Sequence, residues 1–168
     1  MSYKELIKVA NYYQVKYNFQ VNAQSEPKVL YTGVVVDGTS MELLRSKLKE
    51  VCPELCEDWV ASNIGGHGHE QLNHHMTLGA KPASKVKGLD LGVLDSDVTL
   101  DIVGFGIDHD LGIAAWQVST NLPVETGNPH ITALLKDGSV KPFLASKIKS
   151  WTPISPFPVE GTLMEVKG

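Results

Sequence analysis

The sequence lacks several features that would fix its class at once. No stretch approaches the roughly 20 consecutive apolar residues of a membrane-spanning helix. The start, MSYKELIKVA, has no basic segment followed by an apolar one, so no secretory leader is expected. Positive charge is not in excess: 15 Lys+Arg face 19 Asp+Glu, for a net charge of −4. Such a chain does not coat nucleic acid by bulk charge, and a polynucleotide ligand would need a local basic groove. Aromatic residues make up only 7% of the chain, which leaves few candidates for stacking on a base. Cysteine is scarce too: Cys52 and Cys56, in CPELC, are the only two. A zinc site built on them would need further ligands, with His67, His69 and His74 as the candidates. There is no second Cys pair and the gaps match no standard zinc spacing, so two reduced thiols near a helix end are expected. The expectation is a soluble cytoplasmic protein with no metal, no cofactor, no membrane association and no obligatory protein partner.

What is present is ordinary globular material: 42% hydrophobic and 20% charged residues over 168 positions, with 15 Gly and 9 Pro. That length fits one domain or two packed lobes. Residues 2–14 carry apolar positions at helical spacing, with Ser2 and Glu5 able to form a capping box, so residues 1–27 read as an N-terminal helical segment. Lys28–Asp37 is rich in β-branched residues and reads as a buried strand. Thr39 or Ser40 then caps a helix on which Met41, Leu44, Leu48 and Val51 mark one face, with Pro53 ending it. Residues 61–73, ASNIGGHGHEQLN, form a Gly-rich loop. Strands are expected at His74–Ala80, Val98–Ile107, Leu111–Ser119, His130–Leu135 and Glu160–Val166, with a turn at Asp108–Asp110. A short helix is expected at Ala145–Trp151, closed off by the Pro-rich stretch 152–158. The class is α+β with mostly antiparallel strands.

One pattern occurs twice, His75-Met-Thr77-Leu78 and His130-Ile-Thr132-Ala133. Residues i and i+2 of a strand share a face, so each imidazole lies beside its own threonine hydroxyl. One such pair is unremarkable, because a strand histidine commonly packs on the sheet. Two among six histidines, each in an apolar strand-like setting, point to a shared site. Paired histidines suit phosphodiester cleavage: a neutral ring accepts a proton while a protonated one donates to the departing oxygen. Threonine hydroxyls can hold nonbridging phosphate oxygens.

These two motifs, about 55 residues apart in the sequence, resemble those of the 2H phosphoesterase superfamily. Tyr31-Thr-Gly-Val-Val-Val-Asp37 is similar to that family's first strand. Asn128-Pro-His-Ile-Thr-Ala-Leu134, Lys141-Pro and Ile148-Lys-Ser-Trp151 resemble the cyclic phosphodiesterase domain of fungal and plant tRNA ligases and their stand-alone relatives. Phe157-Pro-Val-Glu-Gly-Thr-Leu-Met-Glu-Val166 resembles the closing strand. The resemblance implies a bilobal α+β domain over residues 28–168, with two antiparallel sheets and flanking helices around a central cleft. It also implies metal-independent hydrolysis of a 2′-linked or 2′,3′-cyclic phosphodiester, in RNA ends or small cyclic nucleotides. His75 and His130 become the acid–base pair, with the order of roles open, and Thr77 and Thr132 the phosphate binders. The family includes phage enzymes that degrade cyclic oligonucleotide immune messengers, and a non-catalytic nucleotide-binding module of the same fold is the other alternative. One position departs from the pattern: His74 stands where an apolar residue is usual, and on a strand it points away from His75.

Around the phosphate, Lys136, Lys141, Lys147 and Lys149 cluster after the second motif, and Lys141 is the favoured substrate contact among them. Tyr31 and Trp116 are the favoured aromatic contacts, followed by Trp151. The Gly-rich loop with His67 and His69 reads as a solvated loop, with a lid as the functional reading.

Overall fold

A computed structural model describes residues 27–61, 74–125 and 127–168. The expected helix at 2–14 and the His67 and His69 loop lie outside the described residues. Seven strands form, β1 (Val29–Val36), β2 (Val60–Ala61), β3 (His75–Gly79), β4 (Asp97–Asp108), β5 (Ile113–Ser119), β6 (His130–Leu135) and β7 (Trp151–Lys167); the short β2 was not expected, and β7 begins well before the expected Glu160. They join into one sheet in the order β2-β6-β5-β4-β7-β1-β3, every neighbouring pair antiparallel. Two separate sheets around a cleft between lobes are therefore not observed. The long β7 explains why: its first part pairs with β4 and its last part with β1, which joins the strands on either side of it into one surface. The sheet curls so that β3, at one end, approaches β6, near the other.

β7 runs through Pro153, Pro156 and Pro158, where the sequence suggested a break. Proline lacks an N–H and is excluded from a ladder bonded on both sides. Here the stretch before Gly161 pairs with β4 alone, and its register shifts between Phe157 and Pro153. The prolines thus sit on a one-sided strand with an irregularity. The expected helix at Ala145–Trp151 is instead a 3-10 helix at Pro142–Lys147, and Trp151 opens β7. The Asp108 turn is as expected, with the Leu111 N–H donating to the Asp108 carboxylate at 2.9 Å and Gly112 at φ +72°.

Helix α1 (Gly38–Val51) is capped by Asp37 rather than Thr39 or Ser40; the Ser40 N–H donates to the Asp37 carboxylate at 2.7 Å. Ser40 is used differently, its hydroxyl accepting from the Glu160 N–H at 2.8 Å and tying α1 to β7. Leu44 and Leu48 are buried beneath α1, as their spacing predicted. Pro53 opens a second helix, α2 (Pro53–Asp58), as the first residue of its first turn, where its missing N–H costs nothing. Val34, Val36, Met76, Leu78, Leu100, Ile102 and Leu163 belong to the main core.

Gly33 sets how closely β1 and β3 approach. A Cβ there would meet the Met76 carbonyl oxygen at 2.5 Å. Gly33→Ala is expected to lower stability by about 2 kcal/mol, because a backbone atom cannot swing aside as a side chain does. A urea midpoint unchanged from wild type would show that β3 yields freely.

Candidate functional site

The alternation of β3 and β6 decides what faces the site. On β3, Met76 and Leu78 are buried in the core while His75 and Thr77 turn to the other face. On β6, Ile131 and Ala133 go to the core while His130 and Thr132 turn out. One cavity of about 370 Å³ is lined by all four motif residues, together with Leu30, Tyr31, Ala80, Pro142, Phe143 and Ser146. Because strand directions alternate along the sheet, β3 and β6 face each other antiparallel. The two motifs therefore run in opposite directions along the cavity wall.

His130 has a defined tautomer. Its Nδ1 lies 2.6 Å from the Asn128 carbonyl oxygen. A carbonyl only accepts, so Nδ1 carries the proton and Nε2 keeps its lone pair. Burial holds the His130 pKa below the usual 6.5, and the Asn128 carbonyl partly offsets this. The ring is thus kept neutral with a bare Nε2. His75 is stacked on Tyr31, ring centroids 4.5 Å apart and planes at 23°. The Thr132 hydroxyl donates to the Pro142 carbonyl at 3.3 Å, a long bond that a phosphate oxygen could replace by rotation of the hydroxyl.

Tyr31 lines the cavity with its ring, as a substrate contact requires. Its hydroxyl is buried without a hydrogen-bond partner, and burial pushes its pKa up to about 12. The phenol is neutral at any working pH.

Trp116 is not a substrate contact. It is 0% exposed and packs against Phe105 and Phe157, at centroid distances of 4.9 and 5.8 Å. The register pairs Trp116 with Ile131, and Ala115 with Thr132, so Trp116 lies on the core side of the sheet. Trp151 packs with Ile148 in a smaller core cluster. Lys141 is exposed and sits immediately before Pro142, which lines the cavity, but is not itself in the wall. Lys136, Lys147 and Lys149 are also exposed and outside the wall.

Phe143 is the aromatic that sequence reasoning missed. It is 67% exposed and forms part of the wall. The signal was its place directly after Lys141-Pro142, where a proline-initiated turn holds a large apolar side chain at the surface.

His74 is 5% exposed and shares the core side of β3 with Met76. Its Nδ1 is buried without a hydrogen-bond partner. Burial, then the charge of Arg45 and of His75, lowers its pKa to about 4, with the nearby Thr132 backbone opposing. No disulfide joins Cys52 and Cys56, and among the described residues no three His, Cys, Asp or Glu side chains are placed to share a metal. No helix among the described residues is long and apolar enough to cross a membrane. A scan against protein-family models and a search of curated proteins return no match to this chain.

Proposed function

We propose that the protein is a metal-independent phosphodiesterase that hydrolyses a 2′-linked or 2′,3′-cyclic phosphodiester in an RNA end or a small nucleotide. The observation that carries this reading is the meeting of His75, Thr77, His130 and Thr132 in one cavity of about 370 Å³. That volume lies in the range of small-ligand sites. The phosphate would lie between the two threonine hydroxyls. His130 Nε2 takes a proton from water as the water oxygen bonds to phosphorus. His75 gives a proton to the ribose oxygen as its bond to phosphorus breaks. The two rings then differ by one proton from their starting states and exchange it through solvent. The contact of Nδ1 with the Asn128 carbonyl, which leaves Nε2 toward the cavity in the neutral ring, supports the base role for His130.

Beside the polar groups the wall is largely apolar, from Leu30, Tyr31, Pro142 and Phe143. A nucleobase would lie on this wall, with Phe143 as its exposed platform. Phe143→Ala is expected to raise KM about tenfold for base-bearing substrates, with kcat within about threefold. The side chain is mostly solvated, so folding should be unaffected. An unchanged KM would remove Phe143 from the substrate.

The test of the function is an EDTA-treated hydrolysis panel resolved by mass and chromatography. It holds RNA with a 2′,3′-cyclic end, mononucleoside 2′,3′-cyclic phosphates, 2′–5′ oligoadenylate, and cyclic di- and trinucleotides with 2′ or only 3′ linkages. Turnover by wild type, lost in His75→Ala and His130→Ala, is the expected result. The preferred substrate separates RNA-end processing from messenger degradation. Tight binding without turnover on any row would replace the enzyme by a nucleotide-binding module.

A further inference from the structure

We propose that Tyr31 is a positioning residue: its ring holds the His75 imidazole in place and favours the protonated form of that imidazole. The consequence for turnover rests on the acid role given to His75 above; the stack and its effect on protonation do not.

The sheet explains why the two rings meet. β1 is paired on both sides, with β7 and with β3, whereas β3 is the last strand of the sheet order. His75 is the first residue of that end strand, and Tyr31 stands on its interior neighbour, opposite Val166 of β7. Along β1 the alternation gives Tyr31, Gly33 and Val35 one face, while Val34 and Val36 go to the core. Val35 is the partner of His75, and Gly33 the partner of Thr77. Gly33 puts no side chain between Tyr31 and His75, so the long phenol leans along the strand and meets the imidazole. The rings stack with centroids 4.5 Å apart and planes at 23°. Tyr31 is 7% exposed, so the ring on which His75 lies is itself fixed by packing.

The chemistry of the stack favours one protonation state. An aromatic face carries negative potential, and a cation within about 6 Å of the ring centre is attracted to it. A neutral imidazole gains only the packing. The phenol hydroxyl has no hydrogen-bond partner, and its pKa of about 12 keeps it uncharged, so what Tyr31 contributes is the ring. Among the other titratable groups, His130 of β6 shares the cavity wall, and His74 precedes His75 on β3 with Arg45 of α1 acting on it. No Lys, Arg, Asp or Glu among the described residues lines the cavity. The two rings of the site thus have surroundings of opposite effect. Burial favours neutral His130, whereas His75 lies on a face that prefers the cation.

The experiment compares wild type, Tyr31→Leu and Tyr31→Phe. Leucine keeps an apolar side chain and removes the aromatic face; phenylalanine keeps the face and removes the hydroxyl. His74, His130 and Arg45 are common to all three proteins. Proton NMR titration should place the His75 midpoint about half a pH unit or more lower in Tyr31→Leu than in wild type, and close to wild type in Tyr31→Phe. The alkaline limb of kcat/KM, set by the acid, should move down in pH by the same amount, while the acid limb stays in place. At pH 7.5 kcat should fall about tenfold in Tyr31→Leu, with Tyr31→Phe recovering most of the loss. If the leucine variant does not fold, wild type alone decides: the Tyr31 ring protons should show Overhauser contacts to His75 and shift with its midpoint. A His75 midpoint unchanged in Tyr31→Leu, an equal fall in Tyr31→Phe, or Tyr31 ring protons blind to His75 overturns the proposal. If wild type turns over none of the panel, the phosphodiesterase reading falls while the titrations still decide the role of Tyr31.

Discussion

His130→Ala is expected to lower kcat by about a thousandfold, with KM little changed. Positioned general acid–base groups contribute about 10²- to 10⁴-fold, and the base here is held in one tautomer by a backbone carbonyl. His75→Ala should be of similar size. The double variant should lose little more than either single one, because the two rings act in one proton-transfer cycle. The pH profile gives the sharper check. Burial holds His130 below 6.5, so the acid limb of kcat/KM should have its midpoint below pH 6.5. Above that midpoint the ring is neutral and active; below it Nε2 is protonated and the rate falls tenfold per pH unit. A limb centred above 6.5 would assign the base to another group. Loss of rate through a higher KM at constant kcat would make His130 a binding residue instead.

The site was legible in the sequence because its signal is local. His-x-Thr at i and i+2 on a strand fixes the shared face of each pair without any knowledge of the fold. The same rule set His74 apart from His75, as the structure has it. What the sequence did not show was set by pairing between distant strands. Trp116 lies in GIAAWQV, where the adjacent Ala114 and Ala115 erase the alternation that marks a face. Only its partner Ile131, across the β5–β6 ladder, puts it in the core. The prolines of β7 misled for a related reason. They forbid a ladder on two sides, and the sequence does not say that this stretch has a neighbour on one side only. The same long strand merges the two expected sheets into one. Asp37 displaced Thr39 and Ser40 as the cap because Ser40 is drawn to the Glu160 N–H, a contact spanning 120 residues. Phe143 belongs to this class as well. An exposed phenylalanine reads as surface until β6 and the 3-10 helix that follows it are seen to flank one cavity.

The stability of the wild-type protein is expected to fall by about 3 kcal/mol between pH 6.5 and pH 4 through His74 alone. In the folded state its pKa is held at about 4, first by burial and then by the charge of Arg45 and of the neighbouring His75, with the nearby Thr132 backbone opposing. In the unfolded chain the ring returns to the ordinary value near 6.5. Between those values the unfolded state binds more protons, so the unfolding free energy rises with pH across this window. The stabilisation is complete above about pH 6.5 and is lost as pH falls through the folded value. His130, also lowered by burial, acts in the same direction. Acid also acts on Glu125 and Asp137, whose carboxyls are held below their usual range, by Lys81 and Ser139 respectively. Those groups are present in His74→Leu as well, so the difference between the two proteins isolates His74. Urea unfolding at pH 7, 6, 5 and 4.5 should find the two close at pH 7 and the leucine variant ahead by about 2 kcal/mol at pH 5. Parallel losses in both proteins would mean that His74 is not held neutral in the folded state. A charged ring would carry a proton on the buried Nδ1, which would need an acceptor that the described residues do not supply.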